Sequence, residues 1–79
     1  MSPPLRKRSV MIAGHSTSLT LEEAFWRELH SVARRRGISV NALVATIDAT
    51  RQGNLSSALR LFVLECYRRG ELQGAEAER

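Results

Sequence analysis

The stretch "STSLTLEEAFW", residues 16 to 26, contains two residue patterns that are typical of different secondary structures. Its first half alternates between two kinds of side chain, which is the pattern of a half-buried strand. Its second half begins the spacing of an amphipathic helix, and no turn residue separates the two halves. Any fold of this chain must therefore accommodate a strand that runs straight into a helix. The predicted inward face is Thr17, Leu19 and Leu21, and the predicted outward face is Ser16, Ser18 and Thr20.

This strand needs a partner, because an unpaired strand with an apolar face is not stable in water. The preceding "VMIA" could fold back through Ala13, Gly14 and His15 as a hairpin within the chain. Alternatively, the strand could pair antiparallel with its copy in a second chain, so that the helices of both chains close over one face of the ribbon. If the alternation continued backward, Val10 and Ile12 would be exposed. A bulge or turn is therefore expected at Gly14 in either arrangement.

Three helices are predicted after the strand. The first ends at "RRRG", where cations suit a helix C-terminus and Gly37 can adopt the left-handed cap. The second begins after Ser39 as N-cap and continues to "RQGN". The third begins after Asn54, and its body "LSSALRLFVLECYRR" is apolar on most sides, which is typical of a buried helix. The predicted fold is therefore mainly α with one short strand.

The ends of the chain differ in composition from its middle. The first nine residues, "MSPPLRKRS", combine two prolines with a basic run and predict a flexible basic arm. Residues 70 to 79 are polar with two glycines and predict a flexible tail. One folded domain is expected between them, over residues 10 to 69. A chain of 79 residues buries little apolar surface by itself, so a partner is expected.

Charge and composition exclude several classes of function. The formal net charge of +4 favours a polyanionic partner such as nucleic acid or an anionic membrane surface. No signal peptide and no apolar run of about 18 residues is present, so a cytoplasmic protein without a membrane span is expected. His15, His30 and the single Cys66 match no metal-ligand spacing, and no group of acid, base and nucleophile is present. We therefore expect no enzyme activity, no metal and no cofactor.

The strand, the helix "EEAFWRELHSVARRRG", the link "GIS" and the helix opening "SVNALV" resemble, in order and spacing, the ribbon-helix-helix family of DNA-binding proteins. The likeness covers residues 16 to about 50, and "RSVMIAGHSTSLTLEEAFW" and "NLSSALRLFVLE" extend it to short bacterial members. The resemblance implies an intertwined homodimer whose intermolecular two-stranded antiparallel ribbon enters the DNA major groove. Here that fold would carry an extra C-terminal helix. The implied function is a transcriptional regulator, specifically a repressor, that binds double-stranded DNA.

The resemblance also implies roles for particular residues. Outward strand residues would contact bases, and free amides at the start of the second helix would bind a phosphate. The basic arm would add phosphate contacts that weaken as the salt concentration rises. Short hydroxyls stand where family members usually carry long side chains, so weak sequence selectivity is expected. The predicted base contacts are Ser16, Ser18 and Thr20, and the predicted phosphate contacts are Arg6, Lys7, Arg8, Ser39, Val40 and Asn41. The predicted dimer core is Thr17, Leu19, Leu21, Phe25, Trp26, Leu29, Leu43 and Ile47.

Other interpretations of the same residues stay open. The outward strand residues could simply form a solvent-exposed strand face. The three arginines that end the first helix could simply be solvent-exposed cations that interact favourably with the helix dipole. Thr20 with Glu23 fits a capping box, which would compete with base contact. The alternative function is a protein–protein interaction module or antitoxin-like adaptor. It would dock a partner protein through the apolar third helix, at residues 55-67.

Overall fold

The computed structural model describes residues 5 to 72, which form one two-stranded sheet and three helices. The three predicted helices are confirmed, but two strands precede them where one was expected. The elements in chain order are β1 (Leu5–Ile12), β2 (His15–Glu22), α1 (Glu23–Arg36), α2 (Val40–Thr50) and α3 (Leu55–Arg68).

β1 and β2 form an antiparallel hairpin within one chain, with Ile12 opposite His15. Ala13 and Gly14 make the two-residue turn, and their φ angles of 52° and 82° are the positive values that a type I′ turn requires. The turn predicted at Gly14 is confirmed. It returns Val10 to the inner face of the hairpin, where the side chain is only 4% exposed. The single-strand expectation is corrected because the segment before the turn pairs with β2 of its own chain.

The flexible basic arm predicted over residues 1 to 9 is wrong from Leu5 onward, because those residues belong to β1. Side chains of α1 hold this strand in place. The indole Nε1 of Trp26 donates a hydrogen bond to the carbonyl oxygen of Arg6 at 3.4 Å, and the Arg8 guanidinium lies 5.1 Å from the Trp26 ring centroid. Glu23 Oε1 lies 3.2 Å from Arg6 Nε and 3.5 Å from Arg8 Nη2. Residues 1 to 4 lie outside the described residues.

The core lies between the inner face of the hairpin and the three helices, and every element contributes to it. The structure encloses this core within one chain, so the monomer does not need a second chain to bury most of its apolar side chains. Of the predicted dimer core, Phe25 is half-buried and Thr17 is exposed. Participation of these residues in a dimer stays a prediction. The other predicted core residues are buried within the chain: Leu19, Leu21, Trp26, Leu29, Leu43 and Ile47.

The helix ends follow local signals in the sequence. Gly37 takes the left-handed conformation, with φ of 72°, after α1. The side chains of Ser39 and Asn54 accept hydrogen bonds from the backbone N–H three residues later, at 3.0 and 2.8 Å. These three signals are confirmed. The capping box predicted at Thr20 is wrong, because β2 continues to Glu22, which takes the N-cap position without a side-chain hydrogen bond.

α1 and α3 run in the same direction, because three contacts join them in the same order along both helices. The Arg60 guanidinium makes two hydrogen bonds to the Glu22 carboxylate and holds its pKa below the usual value. At the C-terminal end of α1, the Arg36 guanidinium makes two hydrogen bonds to the Glu71 carboxylate and holds its pKa below the usual value. The C-terminal ends of both helices therefore lie at one end of the molecule. The contacts in order are Glu22 with Arg60, Glu28 with Tyr67, and Arg36 with Glu71.

The flexible tail predicted over residues 70 to 79 is wrong for Glu71 and Leu72. Leu72 is 3% exposed and belongs to the core, and Glu71 is tied to Arg36 by the ion pair described above. The part of the predicted tail from residue 73 to 79 lies outside the described residues.

Candidate nucleic-acid interface

The outward face of the hairpin carries two rows of exposed side chains. Residues directly opposite each other in an antiparallel pair share a face, and the register places Ser9 opposite Ser18. The structure therefore brings the three predicted base-contact residues together on one solvent face. It also adds a second row that the sequence interpretation missed. The outward rows, called here the reading face, are Ser16, Ser18 and Thr20 on β2 and Met11, Ser9 and Lys7 on β1.

The basic run of β1 is divided between the two faces of the hairpin. Arg6 and Arg8 lie opposite Leu21 and Leu19, on the inner face, where they contact the first turn of α1 as described above. Lys7 lies opposite Thr20, on the reading face. Of the three cations predicted to contact phosphates, only Lys7 therefore shares a face with the predicted base contacts.

The N-terminus of α2 lies beside the outer edge of β1. Asn41 Oδ1 accepts a hydrogen bond from the backbone N–H of Met11 at 3.4 Å. Ser39 Oγ is occupied by the N–H of Ala42. Within residues 5 to 72, no acceptor is bound by the backbone N–H groups of Val40 and Asn41, as is usual in the first turn of a helix. These two free donors adjoin the reading face and suit an anion.

Among residues 5 to 72, no strand pairs with the second edge of β2. Since residues that exchange hydrogen bonds alternate along an antiparallel pair, the backbone groups of Ser16, Ser18 and Thr20 point away from β1. The carbonyl oxygen of Thr20 accepts a hydrogen bond from Ser56 Oγ at 2.9 Å, which agrees with this direction. A groove of about 600 Å³ is lined by residues of this strand, by Asp48 of α2 and by Ser56 of α3. An open strand edge of this kind is a template for another strand.

The positive charge of the described residues is unevenly neutralised. All six carboxylates between residues 5 and 72 contact a cation or, in the case of Glu28, the hydroxyl of Tyr67. Some cations in the same range have no carboxylate within ion-pair distance, and these cations account for the excess of positive charge. The cations without an ion pair are Lys7, Arg27, Arg34, Arg35 and Arg69.

The described residues contain no group of three metal-binding side chains. His15 is exposed on β2 and His30 is exposed on α1. Cys66 is fully buried in α3, and burial raises the pKa of its thiol, which disfavours the reactive thiolate. In the same part of the chain, no helix has the length and apolar character needed to span a bilayer.

Comparison with known proteins identifies a family and a solved structure to which this chain is similar. A family model described as ribbon-helix-helix domain matches residues 5–67. Among solved structures, the chain is similar to an uncharacterized protein from Bordetella pertussis Tohama I, with a TM-score of 0.70 and 28% sequence identity. This similarity covers 90% of the present chain but 61% of that chain, so the present chain spans less than two thirds of the relative's length. The comparison with curated proteins gave no match.

Proposed function

This chain belongs to the ribbon-helix-helix domain family, and on that premise we propose that it is a DNA-binding transcriptional regulator acting as a repressor. The observation that carries the proposal is the reading face, which presents six exposed side chains beside the free amides at the start of α2. Members of the family commonly bind DNA or act in regulators and antitoxins. The proposed protein is a cytoplasmic homodimer, nucleoid-associated when bound to DNA, that performs no enzymatic step.

The proposed dimer pairs the free edge of β2 with the same edge of a second copy. The two-fold axis then passes near Ser18, and the sheet becomes β1–β2–β2–β1. The Thr20 carbonyl oxygen can accept a second hydrogen bond, so its contact with Ser56 does not block the pairing. Three strand spacings make the sheet about 14 Å wide, whereas the major groove is about 12 Å wide. The two β2 strands would occupy the groove and the β1 strands would lie over its walls, where Lys7 meets phosphates.

Replacing Ser18 with proline should dissociate the dimer and leave the hairpin folded. The Ser18 N–H faces the free edge of β2, so its loss removes no hydrogen bond to β1 but prevents pairing with a second copy. Sedimentation velocity measures the association, and circular dichroism checks the fold. Ser9→Pro is the matched control, because Ser9 lies opposite on β1 and its N–H faces the other edge. Dimers of undiminished stability in Ser18→Pro would exclude this edge as the interface.

Asn41→Asp should weaken binding to every duplex by about 1 kcal/mol, because it adds a negative charge beside the expected phosphate. The aspartate oxygen can still accept the hydrogen bond from Met11, so the fold should be preserved. Gln52→Glu is the control, since it adds the same charge at the opposite end of α2, about 16 Å away. Equal affinities of Asn41→Asp and the wild type, measured by fluorescence anisotropy, would remove Asn41 from the phosphate site.

The proposed function is tested by a mobility shift of a random-sequence duplex at low salt and again at raised salt. Binding is expected at low salt, and the logarithm of the binding constant should fall linearly with the logarithm of salt concentration, because phosphate contacts release counterions. The slope, about −0.9 for each phosphate, counts the contacts. Absence of any shift at low salt would reject DNA binding as the function.

A second candidate function rests on the solvent face of α3. Leu61 and Leu64 are 65% and 52% exposed, whereas Leu59 and Val63 on the opposite face are buried. The helix predicted to be apolar on most sides thus buries one face and presents two leucines on another. An adaptor of the antitoxin type could dock a partner protein there, within residues 55-67. Such an adaptor without DNA binding would give no mobility shift, so the same experiment separates the two candidates.

A further inference from the structure

One side of α1 faces β1 and carries a row of basic side chains. Glu23, in the first turn of α1, forms ion pairs with Arg6 and Arg8, so its side of the helix lies toward that strand. Residues four, seven and eleven positions further along an α-helix lie on the same side. In α1 these positions hold three exposed residues with basic side chains. The residues of this side, called here the basic flank, are Arg6 and Arg8 of β1 and Glu23, Arg27, His30 and Arg34 of α1.

The basic flank adjoins the proposed DNA-binding surface at both ends of α1. At the start of the helix, the hydrogen bond from Trp26 to the carbonyl oxygen of Arg6 holds α1 against β1. At its end, only residues 37 to 39 separate α1 from α2. Asn41, in the first turn of α2, accepts the hydrogen bond from the backbone N–H of Met11 on the reading face. The flank therefore borders the β1 side of the molecule from the start of α1 to the start of α2.

Interactions within the chain do not account for the positive charge of the basic flank. Its single carboxylate, Glu23, pairs with both arginines of β1. Neither Arg27 nor Arg34 has a carboxylate within ion-pair distance among residues 5 to 72. The helix dipole attracts cations only near the last turn, so it can favour Arg34 but not Arg27, which lies in the second turn. Both arginines are therefore available to an anion outside the chain.

We propose that Arg27 and Arg34 bind phosphates of the duplex that occupies the reading face, on the backbone strand beside β1. The inference rests on the proposed function, in which β1 lies over a wall of the major groove and Lys7 meets phosphates there. Continuity with that surface and charge complementarity identify the occupant. Duplex DNA presents one negative charge per about 1.7 Å of its axis, and an arginine guanidinium matches phosphate oxygens with paired hydrogen bonds. Such contacts carry no sequence information, so they should strengthen binding to every duplex.

Arg35 provides a control that is matched in charge and neighbouring in sequence. Like Arg34, it is exposed and has no carboxylate within ion-pair distance among residues 5 to 72. It is turned from Arg34 by about 100° around the helix axis. Arg35 shares its side of α1 with Glu28, two turns earlier, which accepts a hydrogen bond from the hydroxyl of Tyr67 on α3. Arg35 therefore lies toward α3, away from β1.

The experiment measures affinity for a labelled random-sequence duplex by fluorescence anisotropy at several salt concentrations. We expect Arg27→Gln and Arg34→Gln each to bind at least about fivefold more weakly than the wild type at low salt. The salt slope should become shallower by about 1.8, because each substitution removes two phosphate contacts of about 0.9 from the proposed homodimer. Arg35→Gln should keep the slope and stay within about twofold of the wild type. His30→Arg adds a charge between the two arginines and should tighten binding at least about threefold.

Each other outcome overturns the inference in an identifiable way. If the wild type binds the duplex and both Arg27→Gln and Arg34→Gln keep its affinity and slope, the inference is rejected and the proposed function stands. A wild-type protein that binds no duplex rejects both. If Arg35→Gln weakens binding as much as Arg34→Gln, net charge and not the basic flank determines affinity. Unchanged affinity of His30→Arg would place the flank away from the phosphates. Melting temperatures check that every variant is folded, as expected for exposed positions that receive residues of good helix propensity.

Discussion

Replacing Trp26 with alanine should lower the free energy of unfolding by about 3 to 5 kcal/mol, the range for truncating a large aromatic side chain in a core. Trp26 is 1% exposed and lies on α1 beneath β1. Its ring packs against the Arg8 guanidinium, and its indole N–H donates to the carbonyl oxygen of Arg6. The substitution therefore creates a cavity and also removes the contacts that hold β1 to the helix layer. Urea denaturation followed by circular dichroism measures the loss.

Two further variants make this prediction specific. Phe25→Ala should cost less, because Phe25 is half-buried and its ring lies under the Arg60 guanidinium at 5.9 Å from the centroid. Trp26→Phe keeps most of the apolar burial and loses one hydrogen bond, so a cost of about 1 kcal/mol is expected beyond any cavity it leaves. A larger loss for Phe25→Ala than for Trp26→Ala would show that the buried face of α1 is wrongly assigned.

The helices and their boundaries could be predicted because their signals are local. The caps at Ser39 and Asn54 each involve a side chain and a backbone N–H three residues away. Gly37 ends α1 through its own conformation. None of these interactions depends on where the rest of the chain lies, so a short sequence window contains all the chemistry that decides them.

The extent of β1 could not be predicted, because strand pairing is not local. A run of arginine and lysine after two prolines has the composition of a solvated arm, and nothing within the run indicates a strand. Arg6 and Arg8 lie in β1 because that segment pairs with β2, and Glu23 and Trp26 of α1, up to 20 residues further along the chain, also contact them. The turn at Gly14 was predicted, but the register that follows from a two-residue turn places Lys7 alone among the three cations on the reading face.

The face of the sheet on which a side chain lies does not by itself determine whether that side chain is buried. Thr17 lies opposite Val10 on the inner face, as the alternation predicted, yet it is exposed because it borders the open groove along β2. Alternation identifies the face of a sheet, whereas burial depends on how far the helices extend beneath it. The candidate site was likewise predictable only in part. Alternation correctly predicted that Ser16, Ser18 and Thr20 share one face of the sheet. It could not predict that the start of α2 lies beside Met11, because that contact depends on tertiary packing.

Ser18→Arg should give the protein a preference for guanine. Ser18 is exposed at the middle of the reading face, and its hydroxyl is too short to discriminate strongly between bases. An arginine from the same position can reach O6 and N7 of guanine and should gain about 1 to 3 kcal/mol at a matched base pair. Selection from a random pool of duplexes, followed by sequencing, should return a guanine-enriched motif for Ser18→Arg that the wild type does not return.

Ser9→Arg separates base contact from simple charge attraction. Ser9 lies directly opposite Ser18 on the same face, but on β1, one strand spacing of about 4.8 Å further from the proposed two-fold axis. An arginine there should meet the phosphates of the groove wall, tighten binding to all duplexes and leave the selected motif unchanged. The same unchanged motif with Ser18→Arg would mean that β2 also lies outside the groove, because an arginine that meets only phosphates raises affinity without raising specificity.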